Sequence, residues 1–350
     1  MRITIDTTLF LDDRHSVGLT NLLCGAVRRP HQLLVGPHGR DRVTFEHWLG
    51  RQGAGLHAPL RALLDRSLDP EFTRAPPEVA LRVSEADDER VDDRGRNATV
   101  SLRRAIELTE MPLRLVLENG VNDAAFLRKA APPGELRDWL EYAVAQRWIE
   151  FINGGGSFLH RLLASYGPWQ RLRAWALCDA EAWTPRSISG IDHRQVATFR
   201  TEAARAPRVP LEVLERRAIE NYIPLSALKR WAHERSGTRR EERQRRAHFT
   251  EALTPLDARR PPHTRFALRH HYHLERGFGA ATDEIPPDYD DFRDDPALAS
   301  GIGDEIKQIW ASTAREPYGS AADWLDDAWL AADGQRPEIQ RIVASIKSRV

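Results

Sequence analysis

Three short apolar runs, at residues 113–117, 148–152 and 172–178, separated by stretches of helical periodicity, constrain the fold more than any other feature of this chain. Short strands alternating with helices specify βαβ units, and hence a mainly parallel sheet flanked by helices. The intervening segments at 122–129 and 134–146 are the expected helices, the second carrying Leu136, Leu140, Tyr142 and Val144 among charged residues. The run at 148–152 passes straight into Gly154-Gly155-Gly156, after which Ser157 is the expected N-cap of a helix bearing Phe158, Leu159, Leu162 and Leu163. Each expected strand thus ends in a polar or glycine-rich loop: Glu118-Asn119-Gly120, the three glycines, and Asp179-Ala180-Glu181. Ligands of open α/β sheets bind outside the carboxyl ends of the strands. The acids therefore lie on the edge where function is expected.

The remaining chain falls around this unit. Residues 1–110 read as an N-terminal α/β domain of unassigned role, with a strand at Ile3 and Ile5, a helix at 17–27 and a strand at 33–35. The stretch 84–96 is too polar to pack and is expected as an exposed loop or hairpin tip. Residues 111–225 form the central domain, closed by a further strand at 209–214. Residues 226–350 form a mostly helical extension, with a basic helical stretch at 229–248, a strand-like segment at 266–274, an acidic proline-containing loop at 283–295 expected to be disordered, and helices near 302–311 and 321–332. No internal repeat is visible.

Charge narrows the function classes. Lys plus Arg and Asp plus Glu both number 51, so the net charge is zero, which argues against a protein that coats nucleic acid by bulk electrostatics. Any such contact must be local. The two cysteines, Cys24 and Cys178, exclude a disulfide framework and a cysteine-rich zinc site. No apolar run is long enough to span a membrane and no signal-peptide core opens the chain, so a cytoplasmic location and no membrane partner are expected.

Carboxylates at strand ends suit phosphodiester hydrolysis. That reaction needs a divalent cation to neutralise phosphoryl charge and a group that handles protons. Mg²⁺ takes one or two protein carboxylates and completes its octahedron with water and substrate oxygens. Residues two apart in an extended segment project to one side. Asp179 and Glu181 can then face one ion, with Glu118 arriving from a neighbouring strand.

The segments Leu-Val-Leu-Glu118-Asn-Gly-Val-Asn-Asp123, Phe-Ile-Asn-Gly-Gly-Gly156, Ala-Leu-Cys-Asp179-Ala-Glu181 and Arg-Arg-Ala-Ile-Glu220-Asn-Tyr-Ile-Pro together resemble the Toprim domain. Their order and the Ile-Glu-Asn-Tyr segment are similar to the Toprim nucleases of the OLD (overcoming lysogenization defect) group and related bacterial antiphage-defence effectors. The resemblance covers about residues 112–225 and extends no further than residue 310. It implies a Toprim-like α/β fold and Mg²⁺-dependent cleavage of DNA or RNA, with Mn²⁺ as a substitute. It implies catalytic roles for Glu118, Asp179, Glu181 and Glu220, and metal binding by Glu118, Asp123, Asp179 and Glu181. Three departures stand out: Asn119 replaces the usual glycine and lengthens the spacing to Asp123, Glu181 stands where aspartate is commoner, and Glu275-Arg276-Gly277 offers no lysine.

Arg216, Arg217 and Arg276 are the candidate nucleic-acid contacts, against structural ion pairing for the first two. The glycine run could cradle phosphate or form a plain tight turn. Alternation over His270, His271 and His273 would put His271 and His273 on one side as a transition-metal pair, but no fourth ligand is visible and ordinary core or surface histidines are the default. No Gly-x-x-x-x-Gly-Lys-Ser/Thr loop occurs. Since OLD-like relatives fuse or pair the Toprim domain with an ATPase, the resemblance implies a separate ATPase partner; self-association is compatible with it. The competing class is a binding module, a catalytically degenerate Toprim subunit that scaffolds a partner or holds nucleic acid. Primase and type IA topoisomerase readings lack a zinc ribbon and sufficient length.

Overall fold

The computed structural model describes residues 1–35, 39–67, 77–85, 89–92, 94–180, 209–234, 240–261, 266–280, 285–303, 306, 310 and 327–350. The chain is α/β and builds two sheets in succession. The first has the order β2-β1-β3-β5-β4, formed by β1 (Arg2–Ile5), β2 (Gln32–Val35), β3 (Ala80–Val83), β4 (Arg90–Val91) and β5 (Asn97–Val100). All its pairings are parallel except the edge hairpin of β4 with β5, which accounts for the polar stretch around residue 90. The second sheet is fully parallel, with the order β7-β6-β8-β9 from β6 (Leu113–Leu117), β7 (Ile149–Asn153), β8 (Ala174–Cys178) and β9 (Leu211–Val213). In both sheets the first strand lies between the second and the third, and the fourth parallel strand lies beyond the third. One connection pattern is used twice without a repeat visible in the sequence.

The two sheets are covered differently. In the first, Ile3, Ile5, Leu81, Val83, Ala98 and Val100 alternate onto a face packed by the helices Ser16–Arg28 and Leu102–Glu110. The other face, with Thr4, Arg82, Arg90 and Thr99, lines an open cleft of about 370 Å³. In the second sheet the two central strands are buried on both faces, as parallel strands are when helices cross over on either side. β8 has no exposed residue; Trp175 and Leu177 join one core, Ala174, Ala176 and Cys178 the other. The larger core takes in the helices Asn122–Ala130, Glu135–Ala145, Leu225–Glu234, Arg240–Ala258 and Arg336–Arg349, with Trp175 Nε1 donating to Ser345 Oγ at 3.2 Å. The C-terminal helices therefore share one core with the second sheet. Among the described residues no helix is long and apolar enough to cross a membrane.

Three local expectations are corrected. Residues 266–274 form no strand: Leu268–His271 is a 3-10 turn with all four residues buried, so the alternation that would pair His271 with His273 does not exist. The N-cap position falls one residue after 157. The glycines lead into a 3-10 turn, Gly156–Phe158, and Phe158 is the N-cap of the helix Leu159–Ser165. The described part of the acidic loop has regular structure: Pro287–Phe292 winds into a 3-10 helix around the buried Tyr289, whose hydroxyl donates to Leu268 O at 2.8 Å.

Candidate metal centre

β6 is central in its sheet, so its carboxyl end lies between those of β7 and β8, with Leu117 in register with both Asn153 and Leu177. This is the point where strand order reverses, the crevice of doubly wound sheets. The Glu118 carboxylate crosses it: Oε2 accepts from the Asp179 backbone N–H at 3.1 Å, joining the ends of β6 and β8. Glu118 and Asp179 are both half-buried. Glu181 lies outside the described residues.

The loop after Glu118 is shaped by Asn119. Its Oδ1 accepts from the N–H groups of Val121 and Asn122, each at 3.1 Å, satisfying the first amides of the helix Asn122–Ala130. A glycine could not do this, which gives the Glu-Asn departure a physical purpose. The first helical turn then aims Asp123 back at the strand end, where its Oδ2 accepts from Asn119 N at 2.9 Å.

Asp123 is 6% exposed, and its carboxyl is pushed up to about 7. Burial is the main cause, reinforced by the negative charges of Glu118 and Glu220 and opposed by hydrogen bonds from the backbone at 118 and 119. Asp123 thus senses carboxylates from two segments, its own loop and the turn that carries Glu220. Glu220 is 5% exposed on the 3-10 turn Ile219–Tyr222. That turn is clamped from all sides: Asn221 Nδ2 donates to Arg269 O at 2.8 Å and Tyr272 O at 2.9 Å, Tyr222 Oη donates to Glu338, and Trp310 Nε1 donates to Ile219 O at 3.1 Å. The Ile-Glu-Asn-Tyr segment is a buried scaffold that presents one acid.

The glycine run is a clamp and not a phosphate cradle. Its three amides are spent internally: Gly154 N donates to Leu117 O at 2.6 Å, Gly155 N to Asn153 Oδ1 at 3.1 Å and Gly156 N to Glu118 O at 2.9 Å. A Cβ on Gly154 would stand 2.7 Å from Leu117 O, and Gly155 has φ of +74°, so side chains are excluded for steric reasons. Asn153, overlooked in the sequence, also accepts from Gly120 N at 3.4 Å and ties the two loops together. An asparagine directly before a glycine run was the available signal.

The candidate nucleic-acid arginines part company. Arg216 is 1% exposed; it pairs with Asp333, donates to Asn221 O at 2.9 Å and lies over the Tyr222 ring. Arg217 is buried as well. Guanidiniums in such positions cannot track a phosphate backbone, and the ion-pair reading holds for Arg216. Arg276 keeps an exposed side chain, 3.5 Å from Glu275.

Among the described residues, the groups whose ligand atoms all lie within 4.8 Å of one another are Asp12, His15 and Glu85, and Asp257, His270 and Asp333. Glu118, Asp123, Asp179 and Glu220 do not form such a set, as expected of carboxylates that repel one another. The first trio is open to solvent, and Arg14 already holds Asp12 down at about 2. In the second, Arg269 bonds both Asp257, at 2.5 Å, and Asp333, at 3.0 Å, while Arg216 takes the remaining Asp333 oxygen. Two arginines balance two aspartates. His270 is pushed down to about 3 by burial and the Arg216 charge, and stays neutral. That trio is a structural ion network.

The donor set around Glu118 consists of hard carboxylate oxygens, which suits Mg²⁺ with a largely aqueous shell and one or two direct protein ligands. No protein-family model matches the chain, and no curated protein or solved structure matches it.

Proposed function

We propose that the chain is a Mg²⁺-dependent nuclease of the Toprim type, similar to the OLD group, that cleaves phosphodiester bonds in DNA or RNA. The observation that carries this reading is the gathering of acids at one strand switch point: the Glu118 carboxylate bonds the Asp179 backbone there, and Asp123, raised to about 7 mainly by burial, feels the charges of Glu118 and Glu220. Like charges gathered in a half-buried crevice are unfavourable alone and favourable around a cation. Glu118 and Asp179, with Glu181 by resemblance, would hold the ion, and Mg²⁺ bound there would neutralise charge on the scissile phosphate. Glu118 takes the general acid-base role from the resemblance. Without a cation the Asp123 carboxyl is raised to about 7 by burial, and Mg²⁺ bound nearby would favour its charged form. A role as a defence effector with a separate ATPase partner follows from the same resemblance, supported by the missing phosphate loop. Full nuclease activity of the isolated chain without ATP would count against that partner.

The second reading, a degenerate subunit, is favoured by the spacing of the acids and by the Glu118 oxygen engaged with the Asp179 amide. Incubation of wild type and Glu118→Ala with mixed DNA and RNA in Mg²⁺ or Mn²⁺ decides between them. Cleavage by the wild type alone, abolished by EDTA, is the expected result. Equal behaviour of the two proteins, active or inactive, would sink the nuclease reading.

A further inference from the structure

On the carboxyl edge of the second sheet stands a side chain that the proposed chemistry does not use. Phe158 is 55% exposed, at the end of the 3-10 turn that follows β7. The other large exposed apolar side chains among the described residues are Leu11, Val17, Val43, Val121 and Tyr142. Tyr142 packs edge-on against Trp148, at the amino end of β7. Among the described residues, Phe158 is therefore the exposed aromatic of the sheet's carboxyl edge, with Val121 on the same edge in the loop after Glu118.

An exposed phenylalanine alone means little. Its mounting distinguishes this one. The turn is bonded directly to the catalytic candidate, through Gly156 N to Glu118 O at 2.9 Å, and Phe158 lies two residues further on, at most about 7 Å of backbone. Asn153 and the three glycines lock that connection. Arg161, one turn along the following helix, places its guanidinium 5.1 Å from the ring centroid. A cation over one face of a ring whose surface is still largely open makes a platform for a base with a phosphate nearby. The ring is thus mounted on a turn joined to the Glu118 backbone, at the carboxyl edge of the sheet where a bound strand would pass the acids.

We propose that Phe158 stacks on one unpaired nucleobase of the substrate, so that the site selects single-stranded nucleic acid, or a frayed or looped strand, over continuous duplex. A base inside a duplex has both faces covered by its neighbours and cannot reach the ring without being unstacked first. This substrate assignment rests on the nuclease reading for its meaning, but binding can be measured apart from turnover.

The test is fluorescence anisotropy in EDTA, where nothing depends on cleavage, with single-stranded DNA, single-stranded RNA and blunt duplex of one sequence, together with quenching of 2-aminopurine placed along the single strand. The wild type should prefer single strands and quench the probe. Phe158→Ala should lose on the order of 10-fold in single-strand affinity, with duplex affinity unchanged, and Phe158→Trp should restore both affinity and quenching. Equal single-strand binding by wild type and Phe158→Ala, equal loss on single strand and duplex, or preference of the wild type for duplex would each overturn the proposal. If these binding results appear while no protein cleaves in Mg²⁺, the platform stands and the nuclease reading falls. If the wild type cleaves and Phe158→Ala binds and cuts single strands as well as it does, the platform alone falls.

Discussion

Replacing Asp123 by Asn tests the electrostatics of the candidate centre without disturbing its shape. Asn keeps an Oδ1 that can accept from Asn119 N, the bond that anchors the side chain at 2.9 Å. It removes the charge. A carboxyl whose value rises from 3.8 unfolded to about 7 folded binds its proton more tightly in the native state, so the folded form bears a cost that grows with pH. The cost is absent below the unfolded value, accrues between 3.8 and about 7, and is complete above, where the rise from 3.8 to about 7 corresponds to about 4 kcal/mol. Asp123→Asn should therefore be more stable than metal-free wild type, and the difference should widen by about 3 kcal/mol between pH 5 and pH 8. Urea denaturation in EDTA at the two pH values measures this. Mg²⁺ should then stabilise the wild type at pH 8 and stabilise the variant much less, because a ligand that binds only the native state adds its binding free energy to stability. If the difference does not change with pH, or if Mg²⁺ shifts both proteins equally, the carboxylates do not act on one another as described and the metal reading loses its physical basis.

Two further expectations concern the scaffold behind the site. Arg216→Ala leaves Asp333 buried with one arginine fewer and should cost about 3–5 kcal/mol in denaturation, while the salt dependence of nucleic-acid binding stays at its wild-type slope because that guanidinium is internal. Glu338, raised to about 7 mainly by burial, accepts from Tyr222 Oη and Glu215 N at 2.7 Å each. Its ionisation opposes folding as pH rises from the unfolded value of 4.5 through about 7, so Glu338→Gln should raise the melting temperature at pH 8 and have a smaller effect at pH 5.

Legibility followed the physical range of each signal. Glu118 and Asp179 could be placed at strand ends from sequence because apolar runs of parallel strands are local and their ends are marked by polar residues and glycine. The same local signal misled at 266–274, where alternating apolar and polar residues are buried all round in a 3-10 turn and the polar ones are satisfied by distant partners, as Arg269 is by Asp257 and Asp333. Arg216 stayed open in the sequence between a nucleic-acid contact and an ion pair because Asp333, its counter-ion, is remote in the chain. Asn119 looked like a defect in a motif until its hydrogen bonds to the following helix were in view.

By itself, then, the order of residues determined the α/β class, the parallel sheet and the edge on which the acids fall, since hydrophobic period and chain breaks act within a few residues. Only the tertiary structure decided which acids meet, which arginines are interior, that the parallel strands of both sheets follow one order, first strand between second and third, and that Phe158 is exposed on the turn bonded to Glu118. Those outcomes depend on pairing register and burial, which are set by contacts between segments far apart in the chain and leave no periodic trace in any one of them.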